Sequence, residues 1–83
     1  MARTVAHQIE AEIKQRMEAL DTPRKRVDYL VSRGWRKGRV ERHPNYFVVW
    51  WFDRDRRKEK LTHAIRLQVQ RDVDGDRQRR RSV

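Results

Sequence analysis

The sequence contains no cysteine and no long apolar segment. Without cysteine, neither a disulfide framework nor a zinc site held by thiolates can form. No stretch approaches the roughly 20 apolar residues that a membrane-spanning helix needs, and the first residues lack the apolar centre of a signal peptide. We therefore expect a cytoplasmic protein without a membrane partner.

The residues that usually carry enzyme chemistry are also sparse. The three histidines are too far apart to match a metal-binding spacing, the three glycines cannot be assembled into a phosphate loop, and neither serine lies in a nucleophile motif. Asp53 and Asp55 form an acid pair, but they lie in a charged segment that gives no reason for a raised pKa. We expect no catalysis, no cofactor, no metal and no small-molecule substrate.

Positive charge is what the chain has in excess. Basic residues outnumber acidic ones by 22 to 12, which gives a net charge of +10. A field of this sign attracts polyanions, and nucleic acid is the most common polyanion inside cells. Seventeen of the basic residues are arginine, so the alternative explanation is a compositional bias in a basic adaptor that binds proteins.

One uncharged stretch, residues 46–52, contrasts with this background. Five of its seven residues are aromatic and the other two are β-branched, a composition typical of strands. Alternation would place two apolar rows on opposite faces of a central strand: Tyr46, Val48, Trp50 and Phe52 on one, and Phe47, Val49 and Trp51 on the other. We predict that Trp50 faces the core, because its row is the longer one, and that Trp51 with Phe47 faces a partner.

Two helices are predicted before this strand. In residues 1–21 the apolar residues recur at spacings of three and four: Val5, Ile9, Ile13, Met17 and Leu20. A second helix is predicted over residues 23–33, with Thr22 as its cap and Pro23 at its first position. Gly34 follows where a left-handed cap is expected. The first turn of this helix holds Arg24, Lys25 and Arg26, whose charges oppose the helix dipole and would be relieved by a bound anion.

Two further strands are predicted around the central one. Residues 35–42 are a basic first strand, joined to it by the turn residues 43–45. After a charged connector at 53–60, apolar and polar residues alternate over 61–69, which favours a third strand that adds Arg66 to the sheet. A helix is the competing interpretation, because four apolar residues also recur at spacing four: Leu61, Ile65, Val69 and Val73.

The predicted fold is α+β, with two N-terminal helices packed on a three-stranded antiparallel β-meander. Residues 1–71 form one domain, and residues 72–83 form a disordered basic tail. A chain of this size buries a modest core, and below roughly 70 to 80 ordered residues such a core seldom supplies more than about 3 to 5 kcal/mol of stability. A second copy of the chain could add to this core, so a homodimer is one possible state of the protein.

These elements suggest a small protein that binds DNA or RNA through an open sheet face, where aromatic rings alternate with basic side chains. The residues predicted to contact nucleic acid are basic or aromatic: Arg24, Lys25, Arg26, Arg36, Lys37, Arg39, Arg42, Phe47, Trp51, Arg66, Arg79, Arg80 and Arg81. The alternative is an interaction module in which the same face is covered by another protein or a second copy of the chain.

Overall fold

A computed structural model describes residues 2–81 of the chain, and the side chains of residues 6–80. The elements follow in the order α1 (Ala2–Ala19), α2 (Pro23–Ser32), β1 (Arg36–Arg42), β2 (Phe47–Phe52), β3 (Lys58–Lys60) and α3 (Leu61–Arg81). The predicted α+β class is confirmed. None of the helices in the described residues is long and apolar enough to cross a membrane.

Both N-terminal helices form where the sequence predicts them. The apolar row of α1 faces the core, where Ile13 is buried, although the side chain of Val5 lies outside the described part. At the start of α2 the side chain of Thr22 accepts a hydrogen bond from the backbone N–H of Lys25 at 3.2 Å, the capping contact that was expected. Gly34 takes the predicted left-handed conformation after α2, with φ of +91°.

The strands form one antiparallel sheet in the order β1-β2-β3, so β2 is central as predicted. The β1–β2 hairpin begins with Arg42 opposite Phe47, and its register shifts at a bulge that contains Gly38. A Cβ atom at Gly38 would overlap the ring of Phe52. Glycine is required there because β1 and this ring approach each other so closely.

The third strand does not lie where the sequence predicts it. β3 is formed by part of the segment that was expected to be a charged connector. Asp53 closes the preceding turn, because its Oδ1 accepts hydrogen bonds from the backbone N–H groups of Asp55 at 2.9 Å and Arg57 at 2.8 Å. Arg56 takes φ of +61° in the same turn. An aspartate side chain and a left-handed arginine thus form a hairpin that has no glycine to mark it.

Residues 61–69, predicted as the third strand, instead begin α3. The competing helical pattern was the correct one, since three members of its row are buried in the core: Ile65, Val69 and Val73. The alternation predicted the wrong structure because Ala64 and Gln68, which a strand would place on its polar face, are also buried. The amide oxygen of Gln68 accepts a hydrogen bond from the indole N–H of Trp35 at 2.9 Å, so this polar group is satisfied inside the protein.

The segment 72–83, predicted to be a disordered tail, is helical as far as it is described, because α3 continues to residue 81. Two of its three acids, Asp72 and Asp76, lie four residues apart on one side of the helix. Asp72 accepts a hydrogen bond from the hydroxyl of Tyr29 at 2.6 Å, and Asp76 pairs with an arginine of α1. The predicted domain boundary after residue 71 therefore falls inside α3, and residues 82–83 lie outside the described residues.

The core lies on both sides of α3, against the sheet and against the first two helices. Trp51 belongs to this core and is 3% exposed, whereas Trp50 on the opposite face of β2 is partly exposed. The prediction that Trp50 is the core residue and Trp51 the partner-facing one is therefore wrong. Both rows are apolar, and the choice between them is made by α3, which packs against the row that contains Trp51.

Candidate nucleic-acid interface

The face of the sheet that points away from α3 is called the open face here. Its centre is an apolar row on β2, Val48, Trp50 and Phe52, all partly exposed and none of them part of the core cluster. Cross-strand pairing places Arg36 and Lys58 beside Phe52, and Lys60 beside Trp50. The open face therefore combines two aromatic rings with cations on both neighbouring strands.

Trp50 is held in place by two polar contacts. Its indole N–H donates a hydrogen bond to a carboxylate oxygen of Glu41 at 2.9 Å, and the ammonium group of Lys58 lies 4.2 Å from the centre of its ring. The hydrogen bond from Trp50 is the main cause that lowers the pKa of Glu41 below its ordinary value. A base that stacks on this ring would take the place of Lys58 and leave its ammonium group free for a phosphate.

The basic residues of the helices and those of the sheet differ in their partners. Eight basic residues in or next to the helices form ion pairs: Arg16, Arg24, Lys25, Arg33, Arg66, Arg71, Arg77 and Arg79. Of the nine basic residues between positions 36 and 60, only Arg57 forms an ion pair with a residue in the described part of the chain. Basic side chains without an ion pair are therefore concentrated on the sheet and its loops.

The four predicted site residues of β1 are all exposed, and they form no ion pairs in the part that the structure describes. The register places Arg36 on the open face, Arg39 at the bulge, and Lys37 and Arg42 on the side of Trp51 and Phe47. Phe47 is 68% exposed. It lies on the face that α3 packs against but outside the core cluster, at the rim of the sheet.

Several other predicted site residues do not join this surface. Trp51 is buried in the core, so the prediction that it contacts a partner is wrong. Arg66 lies on α3, where it pairs with Glu10 of α1 at 3.3 Å, and it does not extend the sheet as expected. Both errors have the same origin, because the segment predicted as the third strand is the helix that covers the face of Trp51.

The remaining predicted cations lie at helix ends. In the first turn of α2, Arg24 and Lys25 pair with carboxylates, and the Nε–H of Arg26 donates to a backbone carbonyl at 2.9 Å. Near the end of α3, Arg79 pairs with an aspartate and Arg80 is exposed. The side chain of Arg81 lies outside the described part. Among the described residues, no contact connects these cations to the open face.

Sequence reasoning missed four residues of the open face: the two aromatic residues at its centre and two lysines beside them. Phe52 and Trp50 were assigned to the core, and Lys58 and Lys60 were assigned to a connector. The signal that could have found them is the segment Lys-Glu-Lys directly after a turn, since edge strands are commonly short and rich in lysine. A three-residue strand is too short for its alternation to be recognised.

A partly buried polar network fixes α2 and the segment around Trp35 on α3. Asp72 accepts hydrogen bonds from Tyr29 at 2.6 Å, from Gln68 at 2.8 Å and from Arg33 at 3.0 Å. Burial alone would raise the pKa of Asp72, but these three donors outweigh it and hold the pKa below its ordinary value. Burial, followed by the hydrogen bond to Asp72, raises the pKa of Tyr29 well above its ordinary value. We interpret this network as structural.

The described residues contain no group of three or more potential metal-binding side chains. Comparisons of the chain with protein-family models, with curated proteins and with solved structures give no match. Its function must therefore be inferred from the chemistry of its own surface.

Proposed function

We propose that this protein is a small, non-enzymatic, cytoplasmic nucleic-acid-binding protein that uses the open face of its sheet. The observation that carries the proposal is a difference in ion pairing. Most cations on the helices are paired with carboxylates, whereas eight of the nine in the sheet region are not. Three of these unpaired cations, Arg36, Lys58 and Lys60, flank two partly exposed aromatic rings. A chain of phosphates and unstacked bases complements both features.

In this proposal Trp50 provides a stacking surface for a base, and Phe52 continues that surface toward β1. Arg36, Lys58 and Lys60 flank the rings and contact phosphates on either side. The rings lie on a sheet face and can reach bases only when these are unstacked, so a single strand is preferred over a duplex. The salt dependence of binding follows from the number of phosphates that are neutralised.

The test is a titration of the protein into labelled single-stranded DNA, single-stranded RNA and duplex DNA, with oligonucleotides of roughly ten nucleotides, within the site size of small sheet-based binders. If about four to six phosphates are contacted, the log of the affinity for a single strand should fall with log salt at a slope of about −3 to −4. Absence of binding to all three ligands in dilute salt would refute the proposal. Lys14→Gln, which removes an exposed charge on α1, is the matched control for charge loss.

A second candidate function is protein docking, and it is favoured by a separate observation. A groove of about 600 Å³ on the other side of the sheet is lined mainly by apolar residues, among them Val27, Phe47, Val49 and Leu61. Exposed aromatic residues such as Phe47 are typical of interface centres. The test is the oligomeric state of the parent and of Phe47→Ser by light scattering: a dimer that this substitution dissociates would support a homodimer through this groove.

A further inference from the structure

A cleft of about 810 Å³ opens at one end of the sheet, between the end of α2 and the β2–β3 turn. Three arginines line it: Arg36 at the start of β1, and Arg54 and Arg56 in the turn. None of the three forms an ion pair with any residue in the described part of the chain. Three arginines without ion pairs therefore line one concave site that the sequence prediction did not identify as a site.

The one carboxylate that lines this cleft is already occupied. Asp53 is buried, and its Oδ1 accepts the two backbone N–H groups of the turn. Its Oδ2 accepts a hydrogen bond from Arg71 of α3 at 3.1 Å. Burial would raise the pKa of Asp53, but these donors outweigh it and keep the pKa below its ordinary value. The Asp53 carboxylate thus fixes the turn to α3 and forms no ion pair with the three arginines.

The turn holds its arginines in defined positions. Arg56 has φ of +61°, a left-handed conformation that is unfavourable for any residue with a Cβ atom, and backbone strain of this kind tends to occur at binding sites. The side chain of Arg54 lies across Gly34, where a Cβ atom would come within 2.8 Å of its Nε. The absence of a side chain at Gly34 therefore leaves the space that the Arg54 guanidinium occupies.

We infer that this cleft binds a phosphate group of the nucleic acid bound on the open face, an inference that rests on the proposed function. Guanidinium groups bind phosphate oxygens in a bidentate manner, and several together can enclose one phosphate. Phe52 and Arg36 belong both to the cleft and to the open face, so a strand stacked on Trp50 reaches the cleft with its next phosphates. The phosphate is either an internal diester or a terminal monoester.

The experiment compares single substitutions that each remove one positive charge. Arg54→Gln and Arg56→Gln are expected to weaken binding of a single-stranded oligonucleotide at least fivefold and to reduce the salt slope by about 0.7 to 1 each. Lys14→Gln should change affinity less than twofold. Arg54→Lys keeps the charge but loses the bidentate geometry, and it should fall between the parent and Arg54→Gln. Circular dichroism and thermal melts establish that each variant is folded before it is compared.

Oligonucleotides without a terminal phosphate, with a 5′-phosphate and with a 3′-phosphate distinguish the two sources of the phosphate. A terminal monoester is indicated if one phosphorylated end raises the affinity of the parent but not of Arg54→Gln. An internal diester is indicated if the three ligands bind equally and the arginine variants weaken all of them.

The inference about the cleft is refuted if folded Arg54→Gln and Arg56→Gln behave like Lys14→Gln while Trp50→Ala still loses binding. In that case the proposed function stands without the cleft. If the parent binds none of the oligonucleotides, the proposed function fails, and the cleft inference fails with it.

Discussion

The two adjacent tryptophans of β2 should respond very differently to replacement by alanine. Trp51 is 3% exposed and contacts the core formed by α3, so Trp51→Ala opens a large cavity and should cost roughly 3 to 5 kcal/mol of unfolding free energy. A domain of this length is expected to have a total stability of roughly 4 to 12 kcal/mol. The substitution should therefore remove at least about a quarter of the total, and it unfolds the protein at room temperature if the parent lies at the low end of this range. Trp51→Phe provides a milder version of the same test.

Trp50→Ala removes contacts that are mostly exposed to water. The variant loses the hydrogen bond to Glu41 and the contact with Lys58. Because both contacts are exposed to solvent, their loss should cost far less stability than the cavity left by Trp51→Ala. If a base stacks on this ring, the same substitution should weaken nucleic-acid binding by about 1 to 3 kcal/mol, or about 5- to 150-fold. Trp51→Phe, when folded, should bind almost like the parent.

The assay is urea unfolding followed by far-UV circular dichroism, because both substitutions alter tryptophan fluorescence, together with oligonucleotide titrations under identical salt conditions. The midpoint for Trp51→Ala should fall far more than that for Trp50→Ala, whereas binding should be lost mainly in Trp50→Ala. If Trp50→Ala destabilises the protein as much as Trp51→Ala and leaves binding unchanged, the open face is buried in solution. A second copy of the chain would then be its simplest cover.

Three further outcomes are expected. Tyr29→Phe should cost about 1.5 to 3 kcal/mol at neutral pH, since it removes a hydrogen bond to a charged carboxylate. The pKa of Asp72 lies below its ordinary value of 3.8. The stability that Asp72 contributes is therefore complete above pH 3.8 and is lost as the pH falls through the lowered pKa. Urea titrations at acid pH should show a smaller difference between variant and parent. Gly38→Ala should cost about 1 to 3 kcal/mol, because its Cβ atom displaces the ring of Phe52, and an unchanged melting temperature would contradict this close packing. Deletion of residues 72–83 should abolish the cooperative thermal transition, since it removes Asp72 and the buried Val73, and a truncated protein that still melts cooperatively would contradict the position of α3 in the core.

Local signals in the sequence were sufficient for the first half of the fold. Thr22 and Gly34 mark the ends of α2 through side-chain capping and a left-handed backbone, and both effects depend only on neighbouring residues. The β1–β2 hairpin is likewise marked by its turn residues and by the aromatic composition of β2.

The second half could not be predicted because its structure depends on distant contacts. The hairpin before β3 is closed by the Asp53 carboxylate, which Arg71 of α3 also contacts. Gln68 is tolerated in the core only because Trp35 donates a hydrogen bond to it. Neither partner can be identified from the local pattern, so the charged connector concealed a strand and the alternation in residues 61–69 concealed a helix.

The sequence predicted the types of residue in the candidate site, but not which residues form it. Aromatic rings and β1 arginines on one sheet were expected, and Arg36 does flank the open face. The residue chosen for stacking was Trp51, because nothing in the sequence distinguishes the two rows of β2. Because α3 packs against the row of Trp51, Trp50 is the tryptophan on the open face. The pairing of β3 with β2 adds Lys58 and Lys60 to that face.

The pairing of acidic residues explains why the cations of the sheet stay unpaired. In the helices Glu12, Asp72 and Asp76 pair with arginines of neighbouring elements, whereas of the four acids between positions 36 and 60 only Glu59 pairs with a lysine or arginine of the same region. Cations on adjacent strands of the sheet repel each other across distances comparable with the screening length at physiological salt, about 8 Å. We expect this repulsion to lower the stability of the free protein, and a few more acids on β1 or β3 would relieve it. A polyanion on the open face would supply the missing negative charge from outside, so the same residues that destabilise the free sheet would stabilise the complex.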